Sequence, residues 1–207
     1  MMFDARLQPW LRRAFDPPAA RLAAAGVSAD AVTLAGFALG VAAAGALALS
    51  AFNTALALIL ANRLGDGLDG ALARRLGVTE RGAFLDIALD FVFYALVPLG
   101  FALSDPPRNA LPAAALLAAF IGTGSSFLAF AALAAGRGLK APAFPAKGLY
   151  YLGGLTEGAE TLAVFVAMCL WPAAFPALAW IFAALCALTT LMRWRWGWLA
   201  FAGREGK

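Results

Sequence analysis

Four aspartates and an arginine interrupt apolar sequence between residues 66 and 90: Asp66-Gly-Leu-Asp69-Gly70-Ala-Leu-Ala73-Arg74, seven residues, then Gly82-Ala-Phe-Leu-Asp86-Ile-Ala-Leu-Asp90. Asp66 and Asp69 are three apart and Asp86 and Asp90 four apart, so on helices each pair shares a face. Two such faces on neighbouring antiparallel helices can converge on one cavity. Four ionised carboxylates in one cavity repel, and some stay protonated unless cations balance them. The basic residues nearby are too few to do so. The chain has no histidine, which removes imidazole bases, Ser-His triads and His-bound zinc. Oxygen ligands alone select a hard ion, Mg²⁺ or Mn²⁺. Magnesium on carboxylates commonly completes its shell with substrate phosphate and water, so a diphosphate is the economical partner. Gly67 and Gly70 leave bare backbone where a bulky ligand approaches, and Arg74 can meet a phosphate oxygen on the same face. Two other readings stay open. One is a salt-bridge cluster of the aspartates with Arg63, Arg74, Arg75 and Arg81, and the other an acid-lined channel or transporter. Against the transporter, corresponding halves show no inverted repeat or broken helix.

The elements that must position these residues are membrane helices. The 207 residues are 63% hydrophobic and 14% charged, a balance rare in soluble domains. Twenty-one glycines suit helices packed closely in lipid. Six spans are expected, from about Ala31 to Leu49, Thr54 to Leu76, Phe84 to Leu103, Ala110 to Ala135, Thr156 to Trp171 and Phe175 to Leu191. Ser50 to Asn53 reads as a tight turn. Asp105-Pro-Pro-Arg-Asn109 and the Trp171-Pro172 to Pro176 stretch read as breaks, and Gly136 to Gly154 as the longest loop. Residues 1–25 do not resemble a signal peptide, because Arg12-Arg13 and Pro17-Pro18 interrupt any apolar core. Leu7, Trp10, Leu11 and Phe15 fall at helical spacing around those arginines, as in an interfacial amphipathic helix; a disordered arm is the alternative. The fold class is therefore all-α, a single membrane domain over residues 1–207: a six-helix bundle with an N-terminal juxtamembrane helix. Cys169 and Cys186 match no metal or disulfide spacing and read as reduced packing residues.

Charge sets the orientation. Fourteen of the sixteen basic residues fall on one side of this six-span arrangement. They lie in the N-terminal segment, the second-to-third loop, the fourth-to-fifth loop and the C-terminus; Arg108 is on the other side and Arg63 within a span. The positive-inside rule puts the loaded face, both termini and the aspartates in the cytoplasm. The net charge of +4 then reflects topology and anionic lipid, not nucleic acid. Trp194, Trp196 and Trp198 read as an aromatic belt at that face.

The pattern resembles the signature of the CDP-alcohol phosphatidyltransferase family, Asp-x2-Asp-Gly-x2-Ala-Arg, a spacer of seven or eight, then Gly-x3-Asp-x3-Asp. All eight fixed positions are present here: Asp66, Asp69, Gly70, Ala73, Arg74, Gly82, Asp86 and Asp90. The resemblance implies six helices, a cytoplasm-facing site in an inner or plasma membrane, and a homodimer in many members. It implies that Asp66, Asp69 and Asp86 hold a pair of divalent ions, Mg²⁺ or Mn²⁺, with Asp90 adjoining them. Asp90 would also be the general base toward an acceptor hydroxyl. Asp69, Gly70, Ala73, Arg74 and Gly82 would line the CDP pocket. Ser28-Ala-Asp-Ala-Val-Thr33 is similar to the family's Pro-Asn-x-x-Thr segment without its proline, and Thr33 would meet the nucleotide. The implied reaction moves a phosphatidyl group from CDP-diacylglycerol to a small alcohol and releases CMP.

The acceptor is open at this level. Arg137, Lys140, Lys147 and Arg193 are candidates for binding a phosphorylated acceptor. Glu157 and Glu160, if they face the cavity, favour an amine-bearing acceptor such as serine, ethanolamine or choline; otherwise they pair with Lys147 or Arg193. Two alternatives remain: an aminoalcohol phosphotransferase using a soluble CDP-alcohol, and a non-enzymatic membrane protein with a metal-binding or transport site. Gly36, Gly40 and Ala44 form a small-residue stripe that packs either within the bundle or between protomers.

Overall fold

A computed structural model describes residues 4–137 and 156–202, with side chains from residue 13 onward. All regular structure among these residues is helical: α1 (Asp4–Ala24), α2 (Ala29–Ala48), α3 (Phe52–Leu76), α4 (Glu80–Ser104), α5 (Pro106–Gly136), α6 (Gly158–Leu170), a 3₁₀ turn (Pro172–Ala174) and α7 (Phe175–Phe201). Four segments are long and apolar enough to cross a membrane: Ala29–Ala48, Glu80–Ser104, Pro106–Gly136 and Pro172–Phe201. The expected second and fifth spans are helices of a different kind. α3 is long but carries Arg63, Asp66, Asp69, Arg74 and Arg75. α6 has 13 residues, about 20 Å of helix against a hydrocarbon core of about 30 Å. Its start is held at Glu157 and its end at Trp171, before Pro172.

Local chemistry sets the other ends. Ser28 caps α2 by accepting from the Ala31 amide at 3.2 Å, and Thr79 caps α4 by accepting from the Gly82 amide at 3.0 Å. The break between α4 and α5 is a single residue, Asp105, because Pro106 can open a helix but not continue one. The turn after α2 centres on Ser50, whose φ of 58° is left-handed.

α2 packs against α3 and α4, α4 against α5, α5 against α7, and α1 lies along α3. The core runs through Leu47, Ile59, Val97, Leu116, Met168 and a chain of rings. Phe101 stacks on Phe52 and Phe175 with centroids at 5.7 and 4.4 Å. These three rings stand at the start of α3, the end of α4 and the start of α7, and they pack together at this end of the bundle. The opposite end gathers the start of α2, the end of α3, the starts of α4 and α6, and the C-terminal halves of α5 and α7. The small-residue stripe packs inside the chain: a Cβ on Gly40 would stand 2.6 Å from the Phe93 ring, and one on Gly36 3.9 Å from the Gly65 Cα. Both cysteines are buried free thiols, as expected of packing residues.

Candidate active site

The acidic wall of the site comes from the end of α3 and the start of α4. One carboxylate oxygen from each of Asp66, Asp69 and Asp86 lies within 4.8 Å of the other two. Asp69 is buried at 5% exposure. The Thr33 hydroxyl donates to its Oδ2 at 2.6 Å, which ties the start of α2 to the cluster. An all-oxygen donor set at this spacing fits a hard divalent cation. Thr33 is the kind of outer hydrogen-bond partner that fixes a ligating carboxylate.

Asp90 stands apart from these three. Its Oδ1 accepts from Arg63 Nη2 at 2.7 Å, and Arg63 Nη1 is 3.8 Å from Asp66. Of the basic residues expected to be too few to balance the aspartates, Arg63, on the same face as Asp66 one turn earlier, takes up Asp90. The salt-bridge-cluster reading is met in part: Arg63 pairs with Asp90 and Asp66, whereas Arg81 turns to a different acid. Its Nη2 and Nε donate to Asp30 at 2.7 and 3.1 Å. A recess of about 20 Å³ contacts all four aspartates together with Thr33 and Arg63, room for about one water-sized particle.

The recess opens into a cavity of about 1420 Å³ whose lining contains all eight signature residues. On the α2–α4 side it meets Ser28, Thr33, Gly70, Arg74 and Gly82. A Cβ on Gly70 would find only Arg74 Nη1, at 3.5 Å, so bare backbone faces the cavity there. Gly67 lines the cavity as well and has a second task. A Cβ on it would stand 2.6 Å from the Phe15 ring, so its missing side chain seats α1 on α3. The flank between α4 and α5 is apolar, with Leu96, Leu99, Ile121 and Leu128.

The far wall is polar and comes from α5, α6 and α7. Thr156, Glu157, Thr161 and Arg193 line it, each 7–8% exposed. Arg193 Nη1 donates to the Thr123 carbonyl at 3.0 Å, and its guanidinium lies 5.7 Å from the Phe127 ring centre. Of the acceptor-pocket candidates, Glu157 and Arg193 therefore reach the cavity. Glu160 is not among its lining residues. Its carboxylate accepts from the Glu157 amide at 3.1 Å and forms a capping box with Glu157 at the start of α6. Arg137 lies over the Phe201 ring at 4.8 Å. Lys140 and Lys147 lie outside the described residues. Tyr94 and Thr123 line the cavity and Asn62 the recess; as single polar positions in apolar segments they form no pattern in the sequence.

Comparison with known proteins agrees with this geometry. Residues 27–194 match the family described as CDP-alcohol phosphatidyltransferase. The chain is 54% identical over 192 residues to Inner membrane protein YnjF of Escherichia coli strain K12, with 93% of each chain covered. It is 38% identical to archaetidylinositol phosphate synthase of Methanothermobacter thermautotrophicus over 96 residues, 46% of this chain and 48% of that one. In fold it is similar to Mycobacterium tuberculosis phosphatidylinositol phosphate synthase with CDP-DAG bound. The TM-score is 0.76 at 24% identity, over 94% of this chain and 99% of that one. The same synthase with manganese and citrate gives a TM-score of 0.74 at 24% identity, over 93% of each chain. A family match running through both walls of the cavity, and a signature whose eight residues all reach it, lead to one assignment: this membrane chain belongs to the CDP-alcohol phosphatidyltransferase family.

Proposed function

We propose that the chain transfers a phosphatidyl group from CDP-diacylglycerol to the hydroxyl of a small alcohol and releases CMP. The observation that carries this reading is the closed triad of Asp66, Asp69 and Asp86 at the edge of a cavity with one apolar flank. That flank suits a donor whose acyl chains stay in the bilayer and argues against a soluble CDP-alcohol. Asp66, Asp69 and Asp86 would hold Mg²⁺ or Mn²⁺, as a pair of ions with Asp90 adjoining. Divalent metal bound there would supply Lewis-acid charge to offset the diphosphate. Gly70, Ala73, Arg74, Gly82 and Thr33 line the CDP pocket. Gly70 lets the diphosphate approach the helix, and Arg74 meets a phosphate oxygen. Asp90 accepts the proton of the acceptor hydroxyl. The alcohol oxygen forms a bond to the phosphorus bearing the lipid, the bond from that phosphorus to the CMP oxygen breaks, and CMP leaves with the electron pair.

The acceptor sits toward Glu157 and Arg193. Arg193 supports a phosphate-bearing acceptor, in line with the phosphatidylinositol phosphate synthase likeness, and Glu157 supports an amine. The rest of the arrangement follows the family: six crossing helices, with α3 and α6 completing the four long apolar ones, and α1 along the interface. The basic face, the site and both termini lie on the cytoplasmic side of the inner or plasma membrane, in a homodimer. The test is CMP release from CDP-diacylglycerol with Mg²⁺ and a panel of serine, ethanolamine, choline, inositol phosphate and glycerol phosphate. Release that depends on one class of alcohol is the expected result. Absence of release with every donor and alcohol, from folded protein that binds metal, contradicts the transferase reading.

A further inference from the structure

The wall of the cavity opposite the aspartates carries a buried cation and a buried anion, Arg193 and Glu157, each 8% exposed. They come from different helices and are brought to one wall by a bond between their neighbours. The Thr156 hydroxyl donates to that of Thr189 at 3.1 Å, which fastens the residue before Glu157 to α7 one turn ahead of Arg193. Each charge is also held in place. Glu157 caps α6, its side chain accepting the Glu160 amide. Arg193 Nη1 donates to the Thr123 carbonyl at 3.0 Å. Helix α5 comes near enough for this because Gly122 is bare: a Cβ there would stand 3.0 Å from the Thr190 hydroxyl oxygen. Both groups have more hydrogen-bonding capacity than these contacts take up. The wall also stands close to the acidic side. A Cβ on Gly158, next to Glu157, would lie 3.7 Å from the Tyr94 hydroxyl oxygen. That hydroxyl accepts from Arg63 Nη1 at 3.3 Å, while Arg63 Nη2 meets Asp90 at 2.7 Å. Tyr94, one turn after Asp90 on α4, therefore reaches the start of α6.

From this geometry we infer that the acceptor is a compact zwitterionic alcohol, whose ammonium group meets Glu157 and whose carboxylate meets Arg193. The inference rests on the transferase reading and names its substrate class. An alcohol bearing an ammonium alone would face Arg193, and one bearing a phosphate alone would face Glu157. Each would meet a like charge where water screens little. A neutral polyol would leave both buried charges without a partner from the ligand. Opposite charges on one small skeleton satisfy the two together and exclude molecules that carry only one. The planar fork of Arg193 matches a carboxylate. The short reach from Asp90 through Tyr94 to the start of α6 favours a carboxylate over the bulkier phosphate.

The experiment compares L-serine with two analogues that each lack one charge, ethanolamine and 3-hydroxypropanoate, and with inositol phosphate and glycerol phosphate. CMP release from CDP-diacylglycerol with Mg²⁺ is measured for wild type, Glu157→Gln and Arg193→Gln. Binding of each alcohol to the purified full chain is followed in parallel by ligand-observed nuclear magnetic resonance. Wild type should show a kcat/KM for serine at least about tenfold above that for any other alcohol. Glu157→Gln should lose about tenfold on serine and ethanolamine and nothing on 3-hydroxypropanoate. Arg193→Gln should lose about tenfold on serine and 3-hydroxypropanoate and nothing on ethanolamine. Both losses should fall on the acceptor KM, with the KM for CDP-diacylglycerol near wild type. A wild-type preference for a phosphorylated or neutral alcohol overturns the inference, as do variants that slow all the alcohols alike. If one variant does not fold, the wild-type preference and the other variant decide. Should wild type release no CMP with any alcohol, the transferase reading fails. Serine binding that Glu157→Gln weakens would then still uphold the two-charge site, and absence of serine binding would overturn it.

Discussion

Asp69 belongs to the triad proposed to hold metal and lines the cavity proposed to take CDP, and the Thr33 hydroxyl at 2.6 Å fixes which way its carboxylate turns. Thr33→Val keeps the shape and removes that donor. It is expected to weaken Mn²⁺ affinity about tenfold while the melting temperature stays near wild type; unchanged affinity would limit Thr33 to packing. Asp90→Asn keeps the volume and removes the proton acceptor. Turnover should be abolished with CDP binding largely intact, and lost nucleotide binding would reassign Asp90 to holding metal. The aspartates were legible in the sequence because carboxylates are costly in apolar helices and their spacings of three and four put each pair on one face. The partner of Asp90 was not. Arg63 shares a helical face with Asp66, but its pairing with a residue 27 positions away depends on how α3 and α4 pack. Gly67 lines the cavity as its place beside the aspartates suggests, but its second role was hidden: only the packed structure puts Phe15 against it.

At the scale of the helices, the site depends on how each segment starts and where α1 docks. Glu160 closes the capping box of α6, so Glu160→Ala should cost about 1 kcal/mol of stability and leave the order of preferred acceptors unchanged. A changed order would return Glu160 to the acceptor pocket. Gly67→Ala pushes a methyl group into the Phe15 ring and should destabilise the docking of α1 by about 1–3 kcal/mol, read as a lower melting temperature with Mn²⁺ affinity retained. Helix positions were readable from apolar runs and the Pro, Gly and Asp breaks between them, except that α7 continues past the expected Leu191 to Phe201. The nature of two was not. Charge makes α3 a helix of the site as much as of the membrane, and Pro172 together with the cap at Glu157 limits α6 to 13 residues. The twin acids at the start of α6 illustrate the difficulty: two glutamates three apart fit a pocket wall and a capping box equally well in sequence.

For the whole molecule, the bundle has one end built on stacked phenylalanines and another that collects the signature and the far wall. Exposed leucines, isoleucines and tryptophans over the outer surface, including Leu103, Ile121, Trp180 and Ile181, suit a lipid environment. The proposed orientation predicts that reporters fused to either terminus are active only in the cytoplasm; activity of either on the opposite side would reverse the site. The all-helical membrane class was readable from composition alone. The cavity was not, because its two walls come from segments about 100 residues apart, brought together by the packing of α4, α5 and α7 and of α6 on α3.

The most direct test of the central claim is acceptor-dependent CMP release from CDP-diacylglycerol by the wild-type chain and by Asp86→Asn, before and after EDTA and on re-addition of Mg²⁺ or Mn²⁺. The account predicts release by wild type that EDTA abolishes and either ion restores, with none from Asp86→Asn at any metal concentration. Release that persists in EDTA, or that survives loss of Asp86, would contradict it.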